Sequence, residues 1–312
     1  MSYRPEPATA TAAAALRNAA PYIRLYKGKV FVVKVGGELF GDPAQTRAFV
    51  QQVTILHQVG IRAVLVHGGG PQLTDMQQAL GLEPKLVDGR RVTDAKSLDL
   101  TVMVLNGLIN TRLLALCREL DIPALGLSGV DGGLIRAQRR APVRAASGEL
   151  VDYGLVGDVI GVDPDILSKA LDSGYMPVLS PVSCDEKGAL LNINADTVAA
   201  TVAAALGAAK LVLCTGMPGI LGRLDDPTSL VSYTDLAGLA RLRDAGQLSG
   251  GMLPKAAAID TAIRGGVKRV HVISYKSPDA LLAEVFTNEG TGTLIVEDIK
   301  ALTAAEQQGG GR

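Results

Sequence analysis

Apolar positions along the chain alternate between two periodicities. Val30 to Val35 is a valine-rich run, apolar except for Lys34 and closed by Gly36-Gly37, as expected of a strand buried on both faces of a parallel sheet. Helical spacing follows from Ala48 to Val59. The unit then repeats, with a strand at Ala63 to Val66, the triplet Gly68-Gly69-Gly70, Pro71 at a helix start and helical spacing to Leu80. Further on the pattern predicts a long helical stretch from Ala95 to Leu120, a strand from Ala124 to Leu127 and a glycine-rich turn at Gly129 to Gly133. Leu134 to Val151 reads as an inserted hairpin with Ser147-Gly148 at its tip. Strands at Met176 to Pro181, Leu211 to Cys214 and Arg269 to Ile273 alternate with helices at Thr197 to Leu206, Pro254 to Ile263 and Pro278 to Phe286. Such alternation specifies an α/β fold, a three-layer αβα sandwich with a mainly parallel central sheet. Ahead of it, Ala8 to Leu25 reads as a helical extension with Leu16, Ile23 and Leu25 on its apolar side, interrupted near Pro21. The expected organisation is an extension at 1–26, a substrate-binding lobe at 27–188, a nucleotide-binding lobe at 189–299 and a mobile tail at 300–312.

Composition narrows the function classes. Hydrophobic residues make up 47% of the 312 positions, which excludes a disordered chain. Lys plus Arg and Asp plus Glu both number 31, so no overall field attracts nucleic acid or anionic lipid. With no Trp and 4 Phe against 36 Gly, backbone loops are better placed than aromatic platforms to recognise a ligand. Cys117, Cys184 and Cys214 fit neither a disulfide framework nor a CxxC metal site and read as reduced residues of a cytoplasmic protein. No window has the ~18 uninterrupted apolar residues of a spanning helix, and the N-terminus lacks a signal-peptide core. No membrane span and no resident metal are expected.

The chemistry concentrates where glycines end strands, because ligands of an open parallel sheet bind at the carboxyl ends of its strands. Neither GxxxxGK[ST] nor GxGxxG occurs, which disfavours P-loop and Rossmann enzymes. Lys34 lies inside an apolar strand, where an ammonium is costly unless it meets an anion, or else it faces water at a sheet edge. Lys255 follows Gly250-Gly251 near a helix start, where the dipole also disfavours a cation. Asp196 precedes an alanine-rich helix as either a functional carboxylate or a helix cap. Arg91, in Gly89-Arg90-Arg91-Val92-Thr93-Asp94, suits a carboxylate clamp or a solvated loop. Two lysines, two glycine loops and an aspartate form a set suited to phosphoryl transfer. His57 falls in a helix and His67 at a strand end, so no base is evident; a carboxylate acceptor, already ionised, needs none.

Five ordered motifs carry a family resemblance: Lys34-Val35-Gly36-Gly37, His67-Gly68-Gly69-Gly70-Pro71-Gln72, Gly89 to Asp94, Asn192-Ile193-Asn194-Ala195-Asp196 and Ser249-Gly250-Gly251-Met252-Leu253-Pro254-Lys255. In this order they resemble the N-acetyl-L-glutamate kinases of the amino acid kinase family. The resemblance implies phosphorylation of the side-chain carboxylate of N-acetyl-L-glutamate by ATP with Mg2+ held mainly by the nucleotide, the second step of arginine synthesis. It implies catalytic roles for Lys34, Lys255, Asp196, Gly37 and Gly70, and substrate contacts at Gly69, Arg91 and Asn192. Thr215, Gly216, Gly219 and Lys255 would meet the nucleotide. Pro21-Tyr22-Ile23-Arg24 is similar to the end of the extra helix of arginine-inhibited members, which links dimers into a hexamer, a trimer of dimers. That likeness implies an L-arginine site at Tyr22, His271, Glu284 and Gly290, with a buried histidine as the alternative for His271, and leaves a PII-type signalling protein open as a partner. The chain departs from the family at Thr215-Gly216-Met217-Pro218-Gly219, where an aspartate is usual at the position of Gly216, and in Asn106 to Arg112, which lacks the usual lysines. Two alternatives remain, an N-acetyl-aminoadipate kinase and a catalytically impaired, arginine-binding regulatory protein.

Overall fold

The computed structural model describes residues 7–145, 148–223, 225–226, 228–248, 250–287 and 290–301, so Ser147, Ser249 and the tail from 302 lie outside the described residues. The chain begins with α1 (Pro7–Tyr26), β1 (Val30–Val35), α2 (Pro43–Gln58), β2 (Arg62–His67) and α3 (Gly70–Ala79). A small hairpin of β3 (Leu86–Val87) and β4 (Arg90–Arg91) precedes α4 (Ala95–Val102), a π-helical stretch (Met103–Asn110) and α5 (Thr111–Glu119). Next come β5 (Ala124–Ser128), β6 (Ile135–Arg139), β7 (Val143–Arg144), β8 (Leu150–Val151) and β9 (Gly157–Val162). After α6 (Asp165–Asp172) lie β10 (Met176–Ser180), β11 (Val182–Cys184) and β12 (Leu190–Asn192). The remainder is α7 (Ala195–Ala205), β13 (Lys210–Thr215), β14 (Tyr233–Asp235), α8 (Leu236–Asp244), α9 (Met252–Arg264), β15 (Val270–Ser274), α10 (Ala280–Phe286) and β16 (Thr293–Val296).

Eight strands form one sheet in the order β14-β16-β15-β13-β1-β2-β10-β5. Every neighbouring pair is parallel except β15 with β16. The two-residue period of β1 divides the interior into two cores. Val32 joins α7 and α9 residues such as Val198 and Ile259 on one face, and Phe31, Val33 and Val35 join α2, the π-helical stretch and α10 on the other. This is the expected αβα sandwich. A second sheet has four strands in the order β12-β11-β6-β9.

Two expectations about the N-terminal helix need correcting. The N-terminal helix runs through Pro21 to Tyr26 without interruption, because Arg17 and Pro21 are exposed and water can satisfy the carbonyl that proline leaves free. Leu16 and Leu25 are exposed rather than packed, and Tyr22 and Tyr26 make the inward face instead. The stretch from Ala95 to Glu119 is one helical run of 25 residues, long and apolar enough to cross a membrane by length and composition. Leu98, Val104, Leu105, Ile109, Leu113 and Cys117 bury it against the sheet.

Candidate active site

Lys34 occupies a central strand, hydrogen-bonded between β2 and β13, which rules out the sheet-edge position. It shares the face of Val32, and so points at the start of α7. There Asn194, not Asp196, is the helix cap: its Oδ1 accepts from the N–H groups of Asp196 at 2.9 Å and Thr197 at 3.1 Å. The cap being taken, the Asp196 carboxylate is free to serve elsewhere. Its Oδ1 lies 3.0 Å from Nζ of Lys34 and 3.0 Å from Nζ of Lys255, the latter carried in by the first turn of α9. All three side chains are buried. Burial pushes the Asp196 carboxyl up, but the ammonium groups of Lys34 and Lys255 outweigh it and hold the pKa at about 2. Burial and the neighbouring Lys34 charge pull Lys255 down, while Asp196 opposes both. Two ammonium groups share one carboxylate at ion-pair distance, while Glu38, which lines the same cavity as Lys34, acts on Lys255 only at longer range, an arrangement that leaves room for an incoming anion.

The glycine loops after β1 and β2 meet backbone to backbone beside this triplet. A Cβ on Gly37 would come within 2.7 Å of Gly69 Cα and 2.9 Å of Gly70 N, so only glycine allows that approach. Gln72 fixes the pair by donating to Gly37 O at 2.8 Å, and Gly68 N–H donates to Val35 O at 2.8 Å. A Cβ on Gly69 would strike Ile109 Cδ1 at 2.4 Å and Leu105 Cδ2 at 2.5 Å, whereas Gly70 opens α3 with no atom in its way. The start of α3, which no side chain caps, therefore borders the cavity that Lys34 also lines, and such a helix start is a ready anion site.

Lys34, Gly37, Gly69, Gly70, Arg91 and Asn192 line a single cavity of about 240 Å³. Arg91 arrives there on a hairpin, not a loose loop: Asp88 and Gly89, at φ 49° and 72°, make a two-residue turn with both central residues left-handed. Its guanidinium donates to Gly70 O at 3.2 Å, to Thr74 Oγ1 at 2.6 Å and to Gln77 Oε1, all neutral acceptors. Among the described residues it has no carboxylate partner, so its charge too awaits an anion. Asn192 donates from Nδ2 to Thr93 Oγ1 at 3.2 Å. Arg90 and Arg140, the latter paired with Asp158, also line the cavity and escaped the sequence reading. Arg140 reaches it only through the long-range pairing of β6 with β9, which no local spacing announces.

Thr215 ends β13, and its hydroxyl oxygen accepts from Met217 N–H at 2.9 Å, folding the turn over Gly216. A Cβ on Gly216 would sit 3.1 Å from Tyr275 Oη and 3.6 Å from Lys276 Nζ, two residues the sequence reading did not single out. Gly219 packs against Thr293 of β16. Among the described residues no group of three or more His, Cys, Asp or Glu side chains is placed to hold a metal. The donors facing the triplet are ammonium and N–H groups, suited to phosphate oxygens rather than to a cation.

A second buried cluster joins α1, β13, β15 and α10. His271 Nδ1 lies 2.6 Å from Glu284 Oε1, while Thr291 N–H donates to Glu284 Oε2 at 2.7 Å. Gly290 stands beside that carboxylate, 3.5 Å from Oε2 to an ideal Cβ. Tyr22 lies one turn before Tyr26 in α1 and packs on the same core. The sequence reading missed Lys210, whose Nζ is 3.0 Å from His271 Nε2 and 5.0 Å from the Tyr26 ring centre. Burial and the Lys210 charge lower His271 to about 4, and burial lowers Lys210 to about 7. Burial raises Glu284, but His271, the Thr291 N–H and the Lys210 charge together outweigh it and hold it at about 2.

The sequence matches the amino acid kinase family over residues 29–274. It is 48% identical over 289 residues to the acetylglutamate kinase of Myxococcus xanthus, covering 91% of this chain and 94% of that protein. It is 43% identical over 286 residues to the acetylglutamate kinase of Symbiobacterium thermophilum, covering 91% and 97%. In structure it resembles the N-acetylglutamate synthase of Neisseria gonorrhoeae complexed with coenzyme A and N-acetyl-glutamate, at a TM-score of 0.79 and 29% identity over 92% of this chain. The chain spans 63% of that enzyme's length. At 18% identity and a TM-score of 0.59, a carbamate kinase from Giardia lamblia bound to AMP-PNP shares the fold. Motifs, fold and site agree with these likenesses: the chain belongs to the amino acid kinase family, and it is a kinase.

Proposed function

We propose that this kinase transfers the γ-phosphoryl group of ATP to the side-chain carboxylate of N-acetyl-L-glutamate, giving an acyl phosphate and ADP. The observation that carries the reading is one cavity lined by Lys34 and by Arg91, with Lys255 joined to Lys34 through the Asp196 carboxylate that both lysines share. A dicarboxylate fits that polarity: Arg91 takes the α-carboxylate, Asn192 and Gly69 hold the acylated amide, and the γ-carboxylate lies toward the lysines. That carboxylate is ionised at neutral pH and attacks the γ-phosphorus in line without a general base. Lys34, Lys255 and the N–H groups of Gly37 and Gly70 stabilise charge spread over the equatorial oxygens, with Asp196 orienting both ammonium groups.

Thr215, Gly216 and Gly219 form the nucleotide's surroundings. Asp196 is committed to the lysines, so Mg2+ would arrive on the nucleotide and screen its phosphate charge. The division into a substrate lobe at 27–188 and a nucleotide lobe at 189–299 belongs to the same reading, as does a cytoplasmic location. The likeness to the N-acetylglutamate synthase, also solved with coenzyme A and L-arginine, supports L-arginine as a ligand of this chain, at Tyr22, His271, Glu284 and Gly290. The exposed Leu16 and Leu25 of α1 support a homo-oligomer built through that helix, a hexamer in our reading, to which a PII-type protein could dock.

ADP release measured with N-acetyl-L-glutamate, with its one-carbon-longer homologue N-acetyl-aminoadipate and with no acceptor tests the reading. Release that depends on acetylglutamate, and falls on adding L-arginine, is expected. Arginine binding without any ATP turnover would replace the proposal with a regulatory role.

A further inference from the structure

His67 is fully buried below the glycine loop after β2, and the chemistry proposed above gives it no part. Its hydrogen bonds nevertheless assign its proton. Asn110, the last residue of the π-helical stretch, places Nδ2 2.9 Å from Val178 O, and a carbonyl can only accept, so the amide's NH2 lies on that side. The same NH2 is 3.2 Å from His67 Nε2, which must therefore accept. The ring proton is left on Nδ1, which lies 3.0 Å from Gly68 O, again an acceptor only. From one backbone carbonyl to the other, each bond is satisfied by one arrangement: a neutral ring with the Nδ1–H tautomer. Burial, which lowers the ring's pKa to about 4, keeps it uncharged.

The bond to Gly68 O matters because the loop has no side chains with which to fix itself. Pinning that carbonyl fixes the plane of the Gly68–Gly69 peptide, and the Gly69 N–H points away from the ring. On its other side Gly69 rests on Leu105 and Ile109 of the same π-helical stretch. We propose that His67, held in one tautomer by Asn110, is a positioning residue that sets the Gly68-Gly69-Gly70 loop for phosphoryl transfer. The inference rests on the kinase reading of Gly70 given above.

Two substitutions separate hydrogen bonding from volume. In His67→Asn the amide nitrogen falls near the place of Nδ1 and keeps the donor to Gly68 O; in His67→Gln it falls near Nε2, and the donor to Gly68 is lost although more of the volume is kept. We expect kcat to fall at least tenfold in His67→Gln but no more than about threefold in His67→Asn, with the KM for ATP unchanged in both, because misplacing a contact made in the transition state acts on turnover. Equal losses, or a better Gln variant, would overturn the proposal. If the Gln variant fails to fold, the ring 15N spectrum of the wild-type enzyme decides: the Nδ1–H tautomer is expected for His67, Asn110→Ala should admit the Nε2–H form, and Nε2–H in the wild type refutes the inference. An enzyme that binds ATP but releases no ADP with acetylglutamate would instead refute the kinase reading, leaving the tautomer result standing.

Discussion

The two buried ionic clusters have almost the same ingredients and opposite states of completion. Around Asp196, both lysines converge on a single carboxylate oxygen, and the surplus charge opens into the cavity. Around Glu284, each carboxylate oxygen has its own donor, and a neutral His271 relays a hydrogen bond from Lys210 to Glu284. In the reading proposed above the first awaits an anion, whereas in the second the donors and acceptors are already matched. Their placement follows the same division, since Lys34 approaches the carboxyl end of β1 whereas Lys210 opens β13. Charge left unbalanced at the ligand-binding end of a parallel sheet marks a reaction site, and balanced charge elsewhere marks a structural or regulatory one.

The strongest way to break this contrast is Lys34→Met, which keeps the stem and removes the charge; kcat should fall about 10³-fold in a folded protein, as judged by ADP release. Near-normal turnover would end the assignment. Next come the paired carboxylate changes. Asp196→Asn strands two buried cations and should cost about 3–5 kcal/mol in denaturant unfolding. Glu284→Gln should cost only about 1–3 kcal/mol, because Lys210, already lowered to about 7, can shed its proton. Equal costs would erase the distinction. A third test uses pH. His67 falls from its ordinary 6.5 to about 4 on folding, so the unfolded chain binds the proton first and stability drops as pH falls through that window. The loss for His67 alone is about 3 kcal/mol, and His67→Asn should remove it while leaving the share due to His271. The smallest effect belongs to regulation: Glu284→Gln should raise the L-arginine concentration for half-inhibition about tenfold through loss of a charge-assisted bond.

Much of this was legible from patterning alone. The run around Lys34 announced a two-sided buried strand, and a lysine inside it had no structural reason to be there. Asp196 was harder, since a carboxylate before a helix looks like a cap; Asn194, two residues earlier, takes that role, and only coordinates reveal which of two adjacent cap formers does so. Lys210 gave no signal, because a lone lysine at a strand's start is usually solvated and its burial depends on Tyr26, 184 positions away in sequence but adjacent in space. The short strands β14 and β16 carry too few residues for alternation to register. The π-helical stretch is indistinguishable from ordinary helix in the sequence because side-chain periodicity barely changes across one widened turn.

That widened turn also has a meaning in terms of chain length. A π-helical segment is what an α-helix becomes when it absorbs an extra residue without disturbing its two flanks. Gly107 is exposed and lies between Asn106, bonded to Ser180, and Asn110, bonded to Val178 and His67. Deleting it should relax the turn to α-helix and leave α4 and α5 where they are, while shortening the step between the two asparagines from four residues to three. The reading frame of this helix, more than the identity of any one side chain, lets Asn106 reach Ser180 while Asn110 stays on His67.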